Sequence, residues 1–435
     1  MNLLLVYLFN LLLLGGTTWW LYRQEWAQRL RPYFWSALGL KLAFALGFAV
    51  FRYTLAGHSD THVYHAAGLQ LLEYAQQDTT GYLKLLLFNQ FGNEALRTSL
   101  PFTEHPDFTN SFYFIKLLSM LNLATAGQYY LNNLYLSLFS FLGGAYAVAV
   151  LARVLPKYKV AAVVAFLFFP SVELWSSGVM KEPVMFGSMC WVIGMALAFA
   201  HGYRISVWSW LLLPLQLYVF IRIKLFYAAL LLPLLLAYVL VQRLKVYFRP
   251  LHLLRVQLLL LLLLLLALAG VAVLVVMWQK SIFNPDFILW NLESNYTSLL
   301  HRSQHAPHIN LGNLEPTLPS MLLNYPEAAL SSMYRPFIGE SWKPLYLLSA
   351  LENLLLLLLT GMAIASAFRK GAGIKIELLH VVLLVFILVM AGVTGLSTPN
   401  FGTLSRYRLV YLPFLVYLLL QNVYAQRLLQ RLRLS

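Results

Sequence analysis

The sequence is poor in charge and almost free of cysteine. Only 11% of its 435 residues are Asp, Glu, Lys or Arg, whereas about a quarter of a soluble domain is charged. The single cysteine, Cys190, lies within an apolar run, so no disulfide can form inside the chain. No polar stretch is long enough to fold as a separate soluble domain. These absences exclude a soluble enzyme and favour a single membrane-embedded unit.

The net charge of +15 does not indicate a nucleic-acid partner. Lys and Arg occur in short clusters between long apolar runs, and acidic residues are few. Loop charge of this kind sets the orientation of a protein in a bilayer. We therefore expect membrane lipid, and no nucleic acid, as a partner.

Long apolar runs dominate the rest of the sequence, which is 60% hydrophobic. A helix needs about 20 such residues to cross the hydrocarbon core, so we predict an all-α integral membrane fold, a polytopic bundle of about eleven transmembrane helices. The first run lacks the basic start and the small-residue cleavage site of a signal peptide, so we interpret it as a retained helix. The predicted spans are 2–22, 34–56, 128–152, 159–172, 183–201, 206–221, 225–242, 256–278, 345–368, 378–397 and 409–425.

The connectors between these runs alternate in charge. One set holds 17 basic residues and only two acids, Glu25 and Glu377. Because cytoplasmic loops carry the excess of Lys and Arg, we place this set in the cytoplasm of a multi-pass inner (plasma) membrane protein. The N-terminus is then outside and the C-terminus cytoplasmic. The basic members are Arg23, Arg29, Arg31, Arg153, Lys157, Lys159, Arg204, Arg243, Lys245, Arg249, Arg255, Arg369, Lys370, Lys375, Arg427, Arg431 and Arg433.

Residues 1–435 are treated as one transmembrane domain whose outer face is formed by two long loops, 57–127 and 279–344. The second loop is expected to contain two short amphipathic helices at the membrane interface, near Asp286–His301 and Pro316–Tyr334. The cytoplasmic connectors are too short to hold a site. The chemistry is therefore expected in the outer loops, and His305 is expected outside with them.

Asp60 follows the second predicted span and is the first candidate catalytic residue. A partly desolvated carboxylate at the membrane edge suits a general base that deprotonates an acceptor hydroxyl. The structural alternative is that Ser59 or Asp60 caps the helix that follows. Asp60, His62 and His65 would also suit a divalent metal such as Mg or Mn, although histidines at a membrane interface need no metal.

The same loop contains a second acidic pair, Glu104 and Asp107. Paired carboxylates suit acid–base chemistry or metal ligation. A solvated loop also collects acids without any such role. Both interpretations stay open for this pair.

Two further clusters place ionisable residues between apolar runs. Lys181 and Glu182 lie between the fourth and fifth predicted spans, where such residues indicate function. The alternative is that they pair and cap the fifth span. Arg222 and Lys224 interrupt an apolar stretch at its outer end, where they either grip a phosphate or extend to the interface as snorkelling side chains.

The last cluster, Arg406-Tyr407-Arg408, precedes the final predicted span. Two arginines on the predicted outer side run against the orientation rule, which an anionic ligand would explain. No carboxylate follows Glu377, so neither arginine has a partner nearby in the sequence. Two positions on a helix that are two residues apart diverge by about 200°. We therefore expect only one arginine to grip the ligand, and we choose Arg406.

These features together resemble the GT-C superfamily of membrane glycosyltransferases, to which protein O-mannosyltransferases and lipid A aminoarabinose transferases belong. Asp60 occupies the place of the family's acidic residue in the first large outer loop. The segment Pro170–Glu182 is similar to the family's turn that starts at a proline and ends in an acid. Arg406-Tyr407 with Pro413 is similar to its Arg-Tyr segment before the last span. The WSSGxxKE and NxGTLSRYR segments also resemble bacterial membrane proteins of polysaccharide loci.

The sequence departs from the family pattern in two places. The family commonly starts with a cytoplasmic N-terminus, whereas the extra first span here places it outside. The first loop carries Asp60 without the adjacent acid that some members use.

The resemblance implies transfer of a sugar from a polyprenyl-phosphate donor to a hydroxyl of a glycan, lipid or protein acceptor on the extracytoplasmic face. It implies that Asp60 is the base and that Glu182 positions Lys181 or the sugar. The groups that would bind the leaving phosphate are Lys181, Arg222, Lys224, Arg406, Tyr407 and Arg408.

Three other functions remain open at this stage. An O-antigen or capsule polymerase would use an undecaprenyl-linked oligosaccharide as donor. A transporter or flippase for lipid-linked saccharides would favour broken helices and matching halves, and the sequence shows no such halves. The third alternative is a purely structural subunit of an assembly.

Overall fold

The computed structural model describes residues 2–55, 59–279, 285–304, 306–369 and 375–431. Within these ranges the chain is helical and has no β-strand, and one isolated antiparallel bridge joins His308 and Asn400. Three residues of the orientation prediction, His305, Lys370 and Arg433, lie outside the described residues.

The helices are numbered in chain order. The first seven are α1 (Leu3–Tyr22), α2 (Glu25–Gln28), α3 (Arg31–Ala49), α4 (Asp60–Gln77), α5 (Thr79–Phe88), α6 (Glu94–Ser99) and α7 (Asn110–Thr125). The next seven are α8 (Tyr129–Val154), α9 (Lys159–Leu167), α10 (Pro170–Trp175), α11 (Lys181–Ala200), α12 (Val207–Ile223), α13 (Leu225–Leu244) and α14 (Leu254–Gln279). The last seven are α15 (Pro285–Arg302), α16 (Leu318–Tyr334), α17 (Pro344–Ala367), α18 (Leu378–Ser397), α19 (Phe401–Tyr407), α20 (Leu412–Leu419) and α21 (Val423–Arg431). A π-helical segment, Val50–Leu55, continues α3, and 3₁₀ turns occupy Pro156–Tyr158, Arg249–His252 and Arg408–Val410.

Eight helices within the described ranges are long and apolar enough to cross a membrane, as expected of a multi-pass membrane protein. Each of them coincides with one of the predicted spans. Helices α1 and α14 are the least buried of the eight, so their exposed leucines are available to lipid. The eight candidate spans are Leu3–Tyr22, Arg31–Tyr53, Tyr129–Val154, Lys181–Ala200, Leu225–Leu244, Leu254–Leu274, Pro344–Ala367 and Leu378–Ser397.

The other three predicted spans form shorter helices. The run 159–172 is divided into α9 and α10 just before Pro170, because proline disfavours the helical conformation in the residue that precedes it. The run 206–221 forms α12, which has 17 residues. The run 409–425 is divided among a 3₁₀ turn, α20 and α21. The count of eleven spans therefore stays a prediction.

Helices α15 and α16 occupy the segments in which two helices of the second outer loop were predicted. That these helices lie in the membrane interface stays a prediction. The chain divides into two compact units.

The first unit comprises Met1–Arg153, Glu173–Met195 and Ile205–Ala228. Its centre contains α8 and the first part of α11, the two most buried candidate spans. A Cβ atom on Gly143 of α8 would lie 2.1 Å from the carbonyl oxygen of Gly187 on α11. Only glycine permits this approach of the two backbones, as at many helix contacts in membranes.

The second unit comprises Val154–Val172, Ala196–Arg204 and Ala229–Ser435. Helix α16 packs on α18, where Ser332 Oγ donates to the carbonyl of Ala391 at 2.6 Å. The segment after α15 joins the segment before α19, because Ile309 N donates to the carbonyl of Pro399 at 3.0 Å. These contacts place the second predicted outer loop beside the arginine-containing segment that precedes α20.

Candidate functional site

The candidate site of the first unit begins at the N-terminus of α4. Ser59 occupies the N-cap position with extended backbone (φ −139°, ψ 164°), but its hydroxyl does not cap the helix. Ser59 Oγ instead donates to the carbonyl of Arg52 at 3.2 Å. Asp60 is the first helical residue and is exposed. An acidic residue in the first turn of a helix is favoured by the helix dipole.

The two histidines after Asp60 contact aromatic residues. His62 Nε2 donates to the carbonyl of Tyr53 at 2.9 Å, and its ring stacks on the Tyr53 ring. The His65 side chain is buried and packs edge-on against Tyr53 and Tyr129. Burial, with a smaller effect of His62, lowers the pKa of His65 to about 4. His65 is therefore neutral at physiological pH.

This geometry does not fit the metal expected from the sequence. His62 Nε2 is committed to a backbone carbonyl, and its Nδ1 lies 3.1 Å from Ser59 Oγ. Among the described residues, no three His, Cys, Asp or Glu side chains come together as ligands.

Lys181, at the first turn of α11, connects α4 to α7. Its Nζ donates to Asn110 Oδ1 at 3.0 Å and to Ser111 Oγ at 2.9 Å. The same ammonium group lies 5.7 Å from the centre of the Tyr64 ring, one turn after Asp60. Asn110 and Ser111 begin α7. Three helices, α4, α7 and α11, thus start around one lysine.

A second contact joins the start of α4 to the segment before Lys181. Thr61 Oγ1 donates to the carbonyl of Val179 at 3.1 Å and lies 2.9 Å from the hydroxyl of Tyr129. These contacts bring the start of α4 beside the segment that leads to Lys181. That Asp60 and the Pro170–Glu182 segment share one pocket stays a prediction.

The outer end of α12 joins the same cluster. Asn110 Nδ2 donates to the carbonyl of Ile223 at 3.1 Å. The Arg222 guanidinium donates to the carbonyl of Asp107 and lies 5.3 Å from the centre of the Tyr113 ring. Lys224 follows at the C-cap of α12. Asn110 therefore connects Lys181 with the segment that carries Arg222 and Lys224.

Lys116 on α7 is a charged residue of this cluster that the sequence analysis missed. Its Nζ donates to Asn89 Oδ1 at 2.6 Å and to the carbonyl of Leu86 at 3.0 Å. Asn89 in turn donates to the carboxylate of Asp107. Burial, and then the charge of Arg222, lower the pKa of Lys116 to about 8, and Asp107 partly opposes them.

The two acids of the predicted loop pair differ in their surroundings. Asp107 takes part in the contacts with Asn89 and Arg222. Glu104 is exposed. Asp107 is therefore a supporting member of the cluster through both its side chain and its backbone.

Glu182 lies in the first turn of α11 beside Lys181, yet its side chain is only 1% exposed. An acid at this place is favoured by the helix dipole, as the capping interpretation expects. Lys181 is more accessible and donates to Asn110 and Ser111 at the start of α7. The role of Glu182 in positioning Lys181 or a sugar stays a prediction.

A buried ion pair underlies the Pro170–Glu182 segment, and the sequence analysis missed it as well. Lys41 of α3 lies 3.6 Å from a carboxylate oxygen of Glu173 and also donates to Ser176 Oγ. The available signal was Lys41 itself, an ionisable residue inside a predicted span. Nothing in the sequence indicated its partner, which lies 132 residues further along the chain.

The second unit contains Arg406 and Arg408. Arg408 is 3% exposed and donates to Asn353 Oδ1 at 2.8 Å and to the carbonyl of Arg335 at 3.2 Å. Both of these acceptors are distant from Arg408 in the sequence, and neither is a carboxylate. Arg406, at the end of α19, is half-buried, and its guanidinium lies 5.3 Å from the centre of the Tyr407 ring.

Comparison with protein-family models, with curated proteins and with solved structures found no match at a significant level.

Proposed function

We propose that the chain is a GT-C-like glycosyltransferase that moves a sugar from a polyprenyl-phosphate donor to an acceptor hydroxyl. In this proposal the chain crosses the inner membrane eleven times, with its N-terminus outside and the site on the extracytoplasmic face. The observation that carries the proposal is the position of Lys181, which bonds to Asn110 and Ser111 beside the helix that Asp60 begins.

The cluster has the physical properties of a phosphate site. Helices α4, α7 and α11 begin there, and the N-terminus of a helix presents backbone N–H groups and a positive dipole end to an anion. Lys181 and Arg222 add two full positive charges. An arginine can grip two phosphate oxygens at once, which a lysine cannot.

The surface of α12 supports a donor with a long apolar chain. Leu211, Leu215 and Tyr218 are exposed, and with Arg222 they follow the spacing of one helix face. A prenyl chain lying along this stripe in the lipid would bring its phosphate to Arg222. A water-soluble phosphate ester would have no use for such a stripe.

The proposed reaction is a direct displacement with inversion at the anomeric carbon. The Asp60 carboxylate takes the proton of the acceptor hydroxyl, and the acceptor oxygen forms a bond to the anomeric carbon. The bond between that carbon and the phosphate oxygen breaks, and its electron pair leaves with the polyprenyl phosphate. Lys181, Arg222 and Lys224 stabilise the charge that collects on the phosphate, and Asp60 returns its proton to water.

The test uses purified protein in lipid nanodiscs incubated with a polyprenyl-phosphate-sugar extract and its acceptor pool. Mass spectrometry then measures the release of polyprenyl phosphate and the mass added to the acceptor. Asp60→Asn should slow this release by about a hundredfold or more, since a general base contributes about 10²–10⁴-fold. The matched control is Asp78→Asn, because Asp78 is an exposed acid of the same loop whose capping bond to Gly81 an asparagine can also make.

The products distinguish this proposal from its alternatives. A polymerase would consume a lipid-linked oligosaccharide and lengthen a glycan by whole repeat units. A flippase would move the donor across the bilayer without releasing polyprenyl phosphate. Full activity in Asp60→Asn, or equal losses in Asp60→Asn and Asp78→Asn, would overturn the assignment of Asp60.

A further inference from the structure

A cavity of about 580 Å³ lies within the second unit, at the ends of four helices. It is bounded by the C-terminal ends of α11 and α13 and by the N-terminal ends of α14 and α18. These ends belong to three of the basic connectors that the sequence analysis placed on one side of the membrane. Its polar lining consists of His201, Gln242, Arg243, Lys245, His252, Gln257 and Glu377.

Arg243 and Lys245 give the cavity its positive charge. The Arg243 guanidinium lies 4.2 Å from the centre of the Phe199 ring, a close cation–π contact that fixes the side chain at the cavity wall. Gly202 turns the chain beside the arginine with φ +68°. A Cβ atom added to Gly202 would lie 3.7 Å from the guanidinium. The contact with Phe199 therefore holds the arginine at this place in the cavity lining.

The polar uncharged groups of the lining are also held in position. His201 lies 2.9 Å from the hydroxyl of Tyr238. Gln257 is buried, and its amide nitrogen donates to the carbonyl of Leu251 at 2.7 Å, which leaves the amide oxygen as an acceptor. Binding in such a preformed pocket costs less ordering of side chains than binding at a mobile surface.

Glu377 is the acid of this lining, and its carboxylate interacts with the N-terminus of its own helix, α18. Its carboxylate accepts from the backbone N–H of His380 in a capping box at the start of α18. The ring of His380 accepts from Glu377 N at 3.0 Å and lies 2.8 Å from Gln421 Oε1. The dipole of α18 offsets the carboxylate charge, so Arg243 and Lys245 decide the sign of the cavity.

We propose that this cavity binds a phosphate group, carried either by an anionic phospholipid or by a soluble phosphorylated compound. A held guanidinium and an ammonium two residues apart provide both bidentate and point-charge contacts to phosphate oxygens. The volume falls within the range of about 300–1,000 Å³ that is usual for small-ligand pockets. Basic pockets at helix ends on the cytoplasmic side of membrane proteins are suited to acidic headgroups. This site is separate from the proposed transferase site and does not depend on it.

The experiment has two arms that separate the sources of phosphate. In the first, pyrophosphate and inorganic phosphate are titrated calorimetrically into the protein in phosphatidylcholine nanodiscs. In the second, native mass spectrometry compares retention of phosphatidic acid and of phosphatidylcholine by the detergent-purified protein. Lys245→Gln should weaken binding about tenfold, the factor that corresponds to 1.4 kcal/mol and to loss of one charged hydrogen bond.

The matched control is Arg249→Gln, which removes one positive charge from an exposed residue of the same connector outside the cavity lining. It should leave affinity within about twofold if contact rather than general charge decides binding. Arg243→Lys keeps the charge but loses the bidentate fork, and it should weaken phosphate binding without changing the size-exclusion profile.

Each pattern of results decides the proposal. Selective weakening by Lys245→Gln in the lipid arm supports a phospholipid headgroup, and in the soluble arm it supports a phosphorylated metabolite. Weakening in both arms supports a phosphate site open to either source. Absence of binding in both arms by the wild-type protein, or equal effects of Lys245→Gln and Arg249→Gln, would overturn it.

Discussion

Lys41 and Glu173 form an ion pair at 3.6 Å between two side chains that are 1% and 2% exposed. The pair joins the middle of α3 to the segment that leads to Lys181. Two charges in such a place are stable only together, because each alone would be buried without compensation.

Removal of one partner should therefore destabilise the protein more than removal of both. We expect Lys41→Met to lower the free energy of unfolding by about 3–5 kcal/mol, and the double variant Lys41→Met/Glu173→Leu to recover much of that loss. Denaturant unfolding of the wild type, Lys41→Met, Glu173→Leu and the double variant in one detergent gives the coupling energy directly. Strictly additive losses in this cycle would show that the two side chains do not stabilise each other.

Arg406 and Arg408 should differ in what their replacement changes. Arg408 satisfies Asn353 Oδ1 and the carbonyl of Arg335 in a buried place. Arg408→Ala should cost about 1–3 kcal/mol of stability for each acceptor left unsatisfied. Arg406→Lys should keep normal insertion and stability but reduce donor-dependent activity, because lysine lacks the bidentate fork.

Thermal unfolding and the polyprenyl-phosphate release assay, run on both variants, separate these effects. Full activity in Arg406→Ala would remove the phosphate-binding role of this residue. Unchanged stability in Arg408→Ala would show that its two bonds are not needed for folding.

The lowered pKa of Lys116 predicts that the stability of the protein depends on pH. Its pKa is lowered from 10.5 to about 8 in the folded protein, first by burial and then by Arg222. The unfolded chain thus binds more protons than the folded chain between these values, so stability should rise with pH across this window.

The measurement is the temperature of half-unfolding across that window for the wild type and for Lys116→Met. The rise should be smaller in Lys116→Met, where the group is absent, and should persist in Lys84→Met, which removes an exposed lysine of the same loop. If Lys116→Met shows the same rise in the temperature of half-unfolding as the wild type, the rise comes from other groups.

The proposed orientation can be tested with two introduced cysteines. Gln76→Cys lies in the predicted outer loop and Arg249→Cys in a predicted cytoplasmic connector, and both positions are exposed. A membrane-impermeant maleimide should label position 76 in intact cells and position 249 only after the cells are broken. Native Cys190 is buried and contributes little background. The opposite pattern of labelling would invert the topology.

The sequence predicted the long helices well, because they depend only on the length of each apolar run. An apolar run of about 20 residues forms a long helix wherever it stands, so eight predicted spans coincide with long apolar helices. The run 159–172 has a similar composition, but Pro170 divides it into two short helices. The mean composition of a segment does not show such an interruption. The number of spans could therefore not be predicted from composition alone.

Convergence in the first unit was predictable for a related reason. Asp60, Lys181 and Arg222 each lie at the end of a helix. In the predicted topology successive spans cross the membrane in opposite directions, so these three helix ends are expected on the same side. The partners within the cluster were not predictable, because Asn110 and Asn89 are ordinary polar loop residues until the fold places them beside Lys181 and Lys116. The contacts of Arg408 were not predictable either, because Arg335 and Asn353 are distant from it in the sequence.

The contact between Gly143 and Gly187 also bears on biosynthesis. Ser137 of α8 is fully buried and accepts a hydrogen bond from Gly178 N at 3.1 Å. Synthesis proceeds from the N-terminus, so α8 emerges from the ribosome with this hydroxyl and the Gly143 groove still open. Their covering helix emerges only later, after α9 and α10. During that interval the surface of α8 that α11 later covers is not yet packed against α11.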